Sequence, residues 1–183
     1  FSRLSAGFMD SAEPLDFNYG AKQGDPRFLE SLASFLTRHY GQPAEPGSLL
    51  LTAGNSQALE LVCERFTEPG DTVFVEEPSY FLAFQIFLDN GLEIVPIPMD
   101  EDGMRMDALE AALRLHRPAL VYTIPSFNNP SGVTLSGPRR ERLVELSRAH
   151  GFVIAADEVY QMLAYEGEVP PAIGTMVNHG NVV

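Results

Sequence analysis

Four short segments of this 183-residue chain carry residue types that could do chemistry, and each follows an apolar run. Thr52-Ala53-Gly54-Asn55-Ser56-Gln57 is a glycine turn leading into a helix-like stretch. Such a turn exposes unpaired N–H groups backed by about +0.5 elementary charge, which suits a phosphate. A plain helix cap by Asn55 or Ser56 would use the same residues. Glu76-Glu77-Pro78-Ser79-Tyr80 sets an aromatic ring after a proline turn, where it can stack on a flat ligand or pack. In Phe127-Asn128-Asn129-Pro130-Ser131-Gly132 the asparagine before proline is confined to extended backbone, so the Asn129 amide is aimed; turn chemistry alone also accounts for the composition. Ala155-Ala156-Asp157-Glu158-Val159-Tyr160 ends an apolar run on two carboxylates, as the magnesium element of a P-loop ATPase does. That reading needs G-x-x-x-x-G-K-[ST], and the sole lysine, Lys22, is followed by Gln23, so it fails.

Other chemistries find little support. His39, His116, His150 and His179 show no metal-ligand spacing, and the single cysteine, Cys63, excludes an internal disulfide and fits a reducing, cytoplasmic setting. No G-x-S-x-G nucleophile elbow is present. A formal charge of -13 argues against phosphate-backbone binding, so no nucleic acid is expected to bind through this segment. The longest apolar stretch, residues 80–88, is broken by Gln85 and falls short of the roughly 18 residues that span a bilayer. The chain opens on Phe1 and closes on an apolar Val182-Val183, which reads as a piece of a longer protein with both ends cut.

The elements that must position these segments follow from the hydrophobic pattern. Residues 1–24 read as a polar, loop-like lead. Asp25 and Pro26 then start a helix that Gly41 closes. From residue 48 strands and helices alternate: strands at 49–51, 72–75, 92–97, 119–124 and 152–156, helices at 58–66, 80–88, 106–115 and 138–150. Residues 181–183 open a further strand. Short apolar strands alternating with helices predict an α/β protein with a mostly parallel sheet, whose ligands sit at the carboxyl ends of the strands. The division expected is an N-terminal segment with its first helix, 1–47, and an α/β domain, 48–183.

Together, in order and approximate spacing, LTAGNSQALEL (51–61), EEPSY (76–80), FNNPSG (127–132) and AADEVY (155–160) resemble the class I/II aminotransferases, fold type I pyridoxal-phosphate enzymes. The resemblance implies the three-layer α/β/α large domain of that fold, here incomplete, and pyridoxal 5'-phosphate as cofactor. It implies that Asp157 sits against the pyridine nitrogen, an opposite charge favouring the protonated ring by about 1–3 pKa units. Asn129 and Tyr160 would hydrogen-bond the phenolic oxygen, Tyr80 would stack on the ring, and Asn55, Ser56 and Gln57 would hold the phosphate. Tyr19 would reach the phosphate of a neighbouring subunit, which implies a homodimer. The family's Schiff-base lysine would lie beyond Val183, so no catalytic residue falls within this chain. The implied reaction moves an amino group between an L-amino acid and a 2-oxo acid. The same scaffold also serves lyases and decarboxylases, the sensor domain of winged-helix transcription regulators, and a truncated pseudo-enzyme.

Overall fold

The computed structural model describes residues 1–176 and 181–183; His179 lies outside the described residues. The chain divides into two compact units, Phe1–Leu51 and Thr52–Val183.

In the first unit, Asp25 accepts hydrogen bonds from the N–H groups of Arg27 and Phe28 and so starts helix α2, Pro26–Tyr40. Pro26 supplies a preset first turn, and Gly41 ends the helix in the left-handed region (φ 68°), where glycine carries no Cβ penalty. Leu29 and Ala33 form its buried stripe. The lead is not a loop as expected: it holds helix α1, Ser2–Ser11, and a 3-10 turn, Pro14–Phe17. No residue of α1 is buried, so its apolar residues cover no core. Phe8 meets the Phe17 ring edge-on, with ring centroids 6.4 Å apart. The strand expected at 49–51 is also absent. Leu49 is extended, but the segment pairs with no strand among the described residues, and the Leu51 N–H bonds the Gln23 carbonyl instead. Leu50 and Leu51 are exposed.

The second unit runs α3 (Asn55–Phe66), β1 (Thr72–Glu77), α4 (Phe81–Asp89), β2 (Glu93–Asp100), β3 (Gly103–Met104), α5 (Met106–Leu113), β4 (Pro118–Thr123), α6 (Gly137–His150) and β5 (Val153–Ala156). The sheet order is β3-β2-β1-β4-β5. All pairings are parallel except that of β3 with β2. The chain opens the expected further strand: Val182 bridges Ile154 in parallel. On β2, the Pro98 carbonyl turns away from β1 and accepts from the Arg105 N–H at 3.0 Å.

Side-chain alternation along the strands splits the core in two. Val73, Val75, Leu120 and Tyr122 pack with Leu59, Cys63, Ala83 and Phe87 of α3 and α4. Phe74, Val121 and Ile154 pack on the other face with Leu109, Leu113, Leu143 and Leu146 of α5 and α6. The result is a three-layer α/β/α architecture. β4 and β5, between these layers, are almost wholly apolar, as a sheet buried on both faces requires, while β1 ends in Glu76 and Glu77 and β2 is partly exposed.

Phe74 is fully buried in the α5/α6 layer while Leu4 is 79% exposed on α1. Phe74→Ala is therefore expected to cost about 3–5 kcal/mol, and Leu4→Ala less than about 0.5 kcal/mol. Thermal unfolding of the full-length protein measures both; equal midpoint shifts would contradict this core assignment.

Candidate active site

The parallel order places the carboxyl ends of β1, β4 and β5 on one edge, where the α3 N-terminus also arrives. Gly54 begins α3 with φ 91° and ψ 171°, a conformation essentially confined to glycine. No side chain caps this helix, so the simple cap expected of Asn55 or Ser56 is not formed. The first-turn N–H groups find no acceptor within the helix itself, as at any helix start. Gln57 reaches back instead, its Oε1 accepting from the Ala53 N–H at 2.6 Å.

Asn55 spends its side chain on Asp157. Its Nδ2 donates to Asp157 Oδ2 at 2.7 Å, and the Tyr122 hydroxyl donates to the same oxygen at 2.8 Å. The Asp157 N–H bonds the Thr123 carbonyl at 2.9 Å, fixing the carboxylate at the end of β5. Burial, then the neighbouring Asp157 charge, pushes the Tyr122 hydroxyl well above the usual phenol range, so it acts as a neutral donor. The other carboxylate oxygen, Oδ1, is buried without a hydrogen-bond partner. A buried, unpaired carboxylate oxygen costs desolvation free energy unless something completes it. Ser79 Oγ, beside Tyr80, is the second such atom among the described residues.

Asn55, Tyr80, Asn129, Asp157 and Tyr160 line one cleft of about 190 Å³ with Ile124 and Val159. Five of the eight residues singled out from sequence thus converge. Ser56 and Gln57 lie on the adjoining first turn of α3 and do not line the cleft. Tyr19 belongs to the N-terminal unit and is fully exposed there. A larger cavity, about 460 Å³, lies at the opposite end of the sheet by Pro118 and His150 and contains none of these residues.

Sequence reading missed the groups beneath the cleft. Glu76, at the end of β1, is buried; its carboxylate accepts from Thr123 Oγ1 at 2.7 Å, the Ile124 N–H at 2.9 Å and Asn128 Nδ2 at 2.8 Å. Asn128 Oδ1 in turn accepts from Ser131 Oγ at 2.8 Å, closing the turn that carries Asn129. Tyr122 went unnoticed because its partner is set by the register Tyr122↔Ala155, which no local motif encodes. Its only sequence signal is a hydroxyl, beside that of Thr123, at the end of an otherwise apolar strand.

The model for "Aminotransferase class I and II" matches residues 9–183 of this chain. The chain belongs to the class I and II aminotransferase family. An aromatic-amino-acid aminotransferase of Thermococcus litoralis is 37% identical over 170 residues, covering 90% of this chain and 41% of that protein. An uncharacterized HTH-type transcriptional regulator, YisV of Bacillus subtilis, is 28% identical over 169 residues, 92% of this chain and 34% of that protein. Among solved structures, a Pyrococcus horikoshii kynurenine aminotransferase, in complex with PMP, kynurenine as substrate and its product, superposes with a TM-score of 0.92 at 32% identity. That alignment covers 99% of this chain and 46% of that structure, so the chain spans less than half the length of these relatives. The three-layer architecture is that of the fold type I aminotransferases.

Glu76 supplies a pH dependence for this aminotransferase-family domain. Burial pushes its carboxyl from 4.5 up to about 7, against the pull of its three hydrogen bonds and the Arg140 charge. A raised carboxyl pKa means the fold favours the protonated form. Its stabilising contribution is therefore full below about pH 4.5 and is lost as pH rises through about 7. Thermal midpoints of the full-length protein and of Glu76→Gln should therefore diverge across that window and run parallel above it. Parallel curves throughout would remove Glu76 as a titrating group.

Proposed function

We propose that the full-length protein is a pyridoxal-phosphate-dependent aminotransferase, moving an amino group between an L-amino acid and a 2-oxo acid. The observation that carries this reading is Asp157 Oδ1, buried, unpaired, and lining the same cleft as Tyr80, Asn129 and Tyr160. A carboxylate oxygen in that state suits a cationic ring N–H, which completes it as a charge-assisted hydrogen bond. The α3 first turn with its Gly54 entry suits the phosphate by the same logic of unsatisfied donors.

Pyridoxal phosphate supplies an electron sink for bonds at the substrate Cα, and the protein tunes that sink. Asp157 would hold a proton on the ring nitrogen, with Asn55 and Tyr122 keeping Oδ2 occupied so that Oδ1 is the oxygen presented. Asn129 and Tyr160 would donate to the phenolic oxygen and hold its negative charge. The Tyr80 ring would cover one ring face, and the backbone N–H groups of Asn55 and Ser56, with Gln57 nearby, would bind the phosphate. Tyr19 would reach the phosphate of a neighbouring subunit, which makes a homodimer part of this reading. No helix among the described residues is long and apolar enough to cross a membrane. The buried Cys63 thiol, pushed up to about 11 by burial, fits the reducing cytoplasm we assign to it.

A second reading, the ligand-sensing half of a transcription regulator, is supported by the similarity to YisV. A basic winged-helix segment ahead of Phe1 in the full-length protein would favour the regulator.

Asp157→Asn in the full-length protein tests the leading reading. Loss of the charge is expected to lower turnover on the order of 100-fold or more while leaving far-UV circular dichroism unchanged. Near-normal turnover would take Asp157 out of this role.

A further inference from the structure

Asn129 and Tyr160 come from different strand ends, yet their proposed task requires both to reach one oxygen. Asn129 sits in the loop after β4 and Tyr160 in the loop after β5. Three residues outside the cleft join these loops from beneath. Ser126, three positions before Asn129, donates its hydroxyl to Gln161 Oε1 at 2.5 Å, and Gln161 follows Tyr160 directly. Arg140, projecting from α6, donates Nη2 to Ser126 Oγ at 2.8 Å and Nη1 to Gln161 Oε1 at 3.3 Å, so the three side chains form a closed ring.

The same guanidinium binds backbone on both sides of the junction. It donates to the carbonyls of Pro125 at 2.6 Å and Leu135 at 2.9 Å in the β4 loop. It also donates to Pro171 at 2.9 Å and Pro170 at 3.3 Å beyond the β5 loop. Gln161 Nε2 adds a bond to the Pro170 carbonyl at 2.8 Å. Arg140 is fully buried and Ser126 nearly so; the Glu158 and Glu76 carboxylates favour the Arg140 charge from a distance, but none of its hydrogen bonds is to a carboxylate. A buried guanidinium satisfied only by carbonyl, hydroxyl and amide oxygens is rigidly specified, because each missing acceptor would leave a desolvated N–H.

A second observation marks the same place. Phe127, between Ser126 and Asn128, has φ 52°, in the left-handed region that a bulky residue seldom occupies. Such a conformation persists where its surroundings over-determine it. Here Ser126 is held by Arg140 and Gln161 on one side, and Asn128 by Glu76 on the other. The strained residue lies two positions before Asn129.

We propose that the Ser126–Gln161–Arg140 cluster is a positioning device that fixes Asn129 and Tyr160 relative to one another, and so sets the charge state of the cofactor's phenolic oxygen. The proposal rests on the pyridoxal-phosphate reading above. None of the three touches the cleft; each acts through the loop it holds.

The test uses the full-length protein loaded with pyridoxal phosphate and two variants, Ser126→Ala and Gln161→Leu. Ser147→Ala is the control, since it removes another buried serine hydroxyl, bonded to the Phe152 carbonyl at 2.6 Å in the core. The readouts are the pH titration of the bound cofactor's visible absorption, its dissociation constant, and the thermal midpoint. We expect Ser126→Ala and Gln161→Leu to shift the spectral titration by about 0.5–1 unit and weaken cofactor binding several-fold, while Ser147→Ala lowers only the midpoint. Should Gln161→Leu fail to fold, Ser126→Ala, which deletes one oxygen, carries the same comparison. Wild-type and Ser126→Ala spectra titrating together would overturn the positioning role and leave the cofactor reading standing. A wild-type protein that takes up no pyridoxal phosphate would overturn both.

Discussion

In a parallel sheet every strand delivers its carboxyl end to the same edge, and the rest of this molecule follows from that constraint. β1, β4 and β5 are adjacent and parallel, so Glu76, Asn129 and Asp157, far apart in sequence, become neighbours across loops of a few residues. The buried apolar faces of the sheet hold the register, and the register decides which polar groups meet. Tyr122 reaches Asp157 only because β4 and β5 pair Tyr122 with Ala155, two positions before the carboxylate. A slip of one residue would turn Tyr122 to the opposite layer, where Phe74, Val121 and Ile154 sit.

Beneath the cleft, buried charges are handled by dipoles and not by ion pairs. Glu76 takes its three bonds from a hydroxyl, a backbone N–H and an amide; Arg140 gives its bonds to carbonyls, a hydroxyl and an amide. Each charge is thereby tied to loop backbone, which a mutual salt bridge would not achieve. Burying a charge this way is costly, and the rise in the Glu76 pKa records that cost. What it secures is loop geometry. The surface pairs are different in kind: Arg142 with Glu110 and Glu145 is largely solvent-exposed and contributes little beyond local order.

Much of this was legible in the sequence, for identifiable reasons. Four of the five strands of the second unit could be read because they are apolar runs bounded by turns, whereas the two-residue β3 is too short to leave a pattern; α2 could be read because Asp25, Pro26 and Gly41 mark its ends by local chemistry. Most cleft residues stood out because they sit in a turn motif after a strand, and Asn55 because it follows a glycine turn into a helix. Failures occurred where the signal is not local. Helix α1 buries nothing, and no side-chain cap or apolar core marks its ends; residues 49–51 are apolar yet lack a strand to pair with among the described residues. Tyr122, Ser126, Arg140 and Gln161 matter through contacts across 14 to 35 positions, which no motif spells out. Nothing in the sequence distinguishes Arg140 from the other arginines of α6, whereas burial makes it the hub of two loops.

The outward edge of β2 has a further consequence. The Pro98 carbonyl faces away from β1, so by alternation Pro96 presents the same side, and at both positions proline has removed the N–H that an approaching strand would need. The two-residue β3 then covers the end of that edge. An incoming extended peptide would meet no donor at either proline, the Pro98 carbonyl already being bonded to Arg105, and a ladder could not run along this side of the sheet past Ile94. The proline spacing that looks like a flaw in the strand therefore blunts this edge against strand addition.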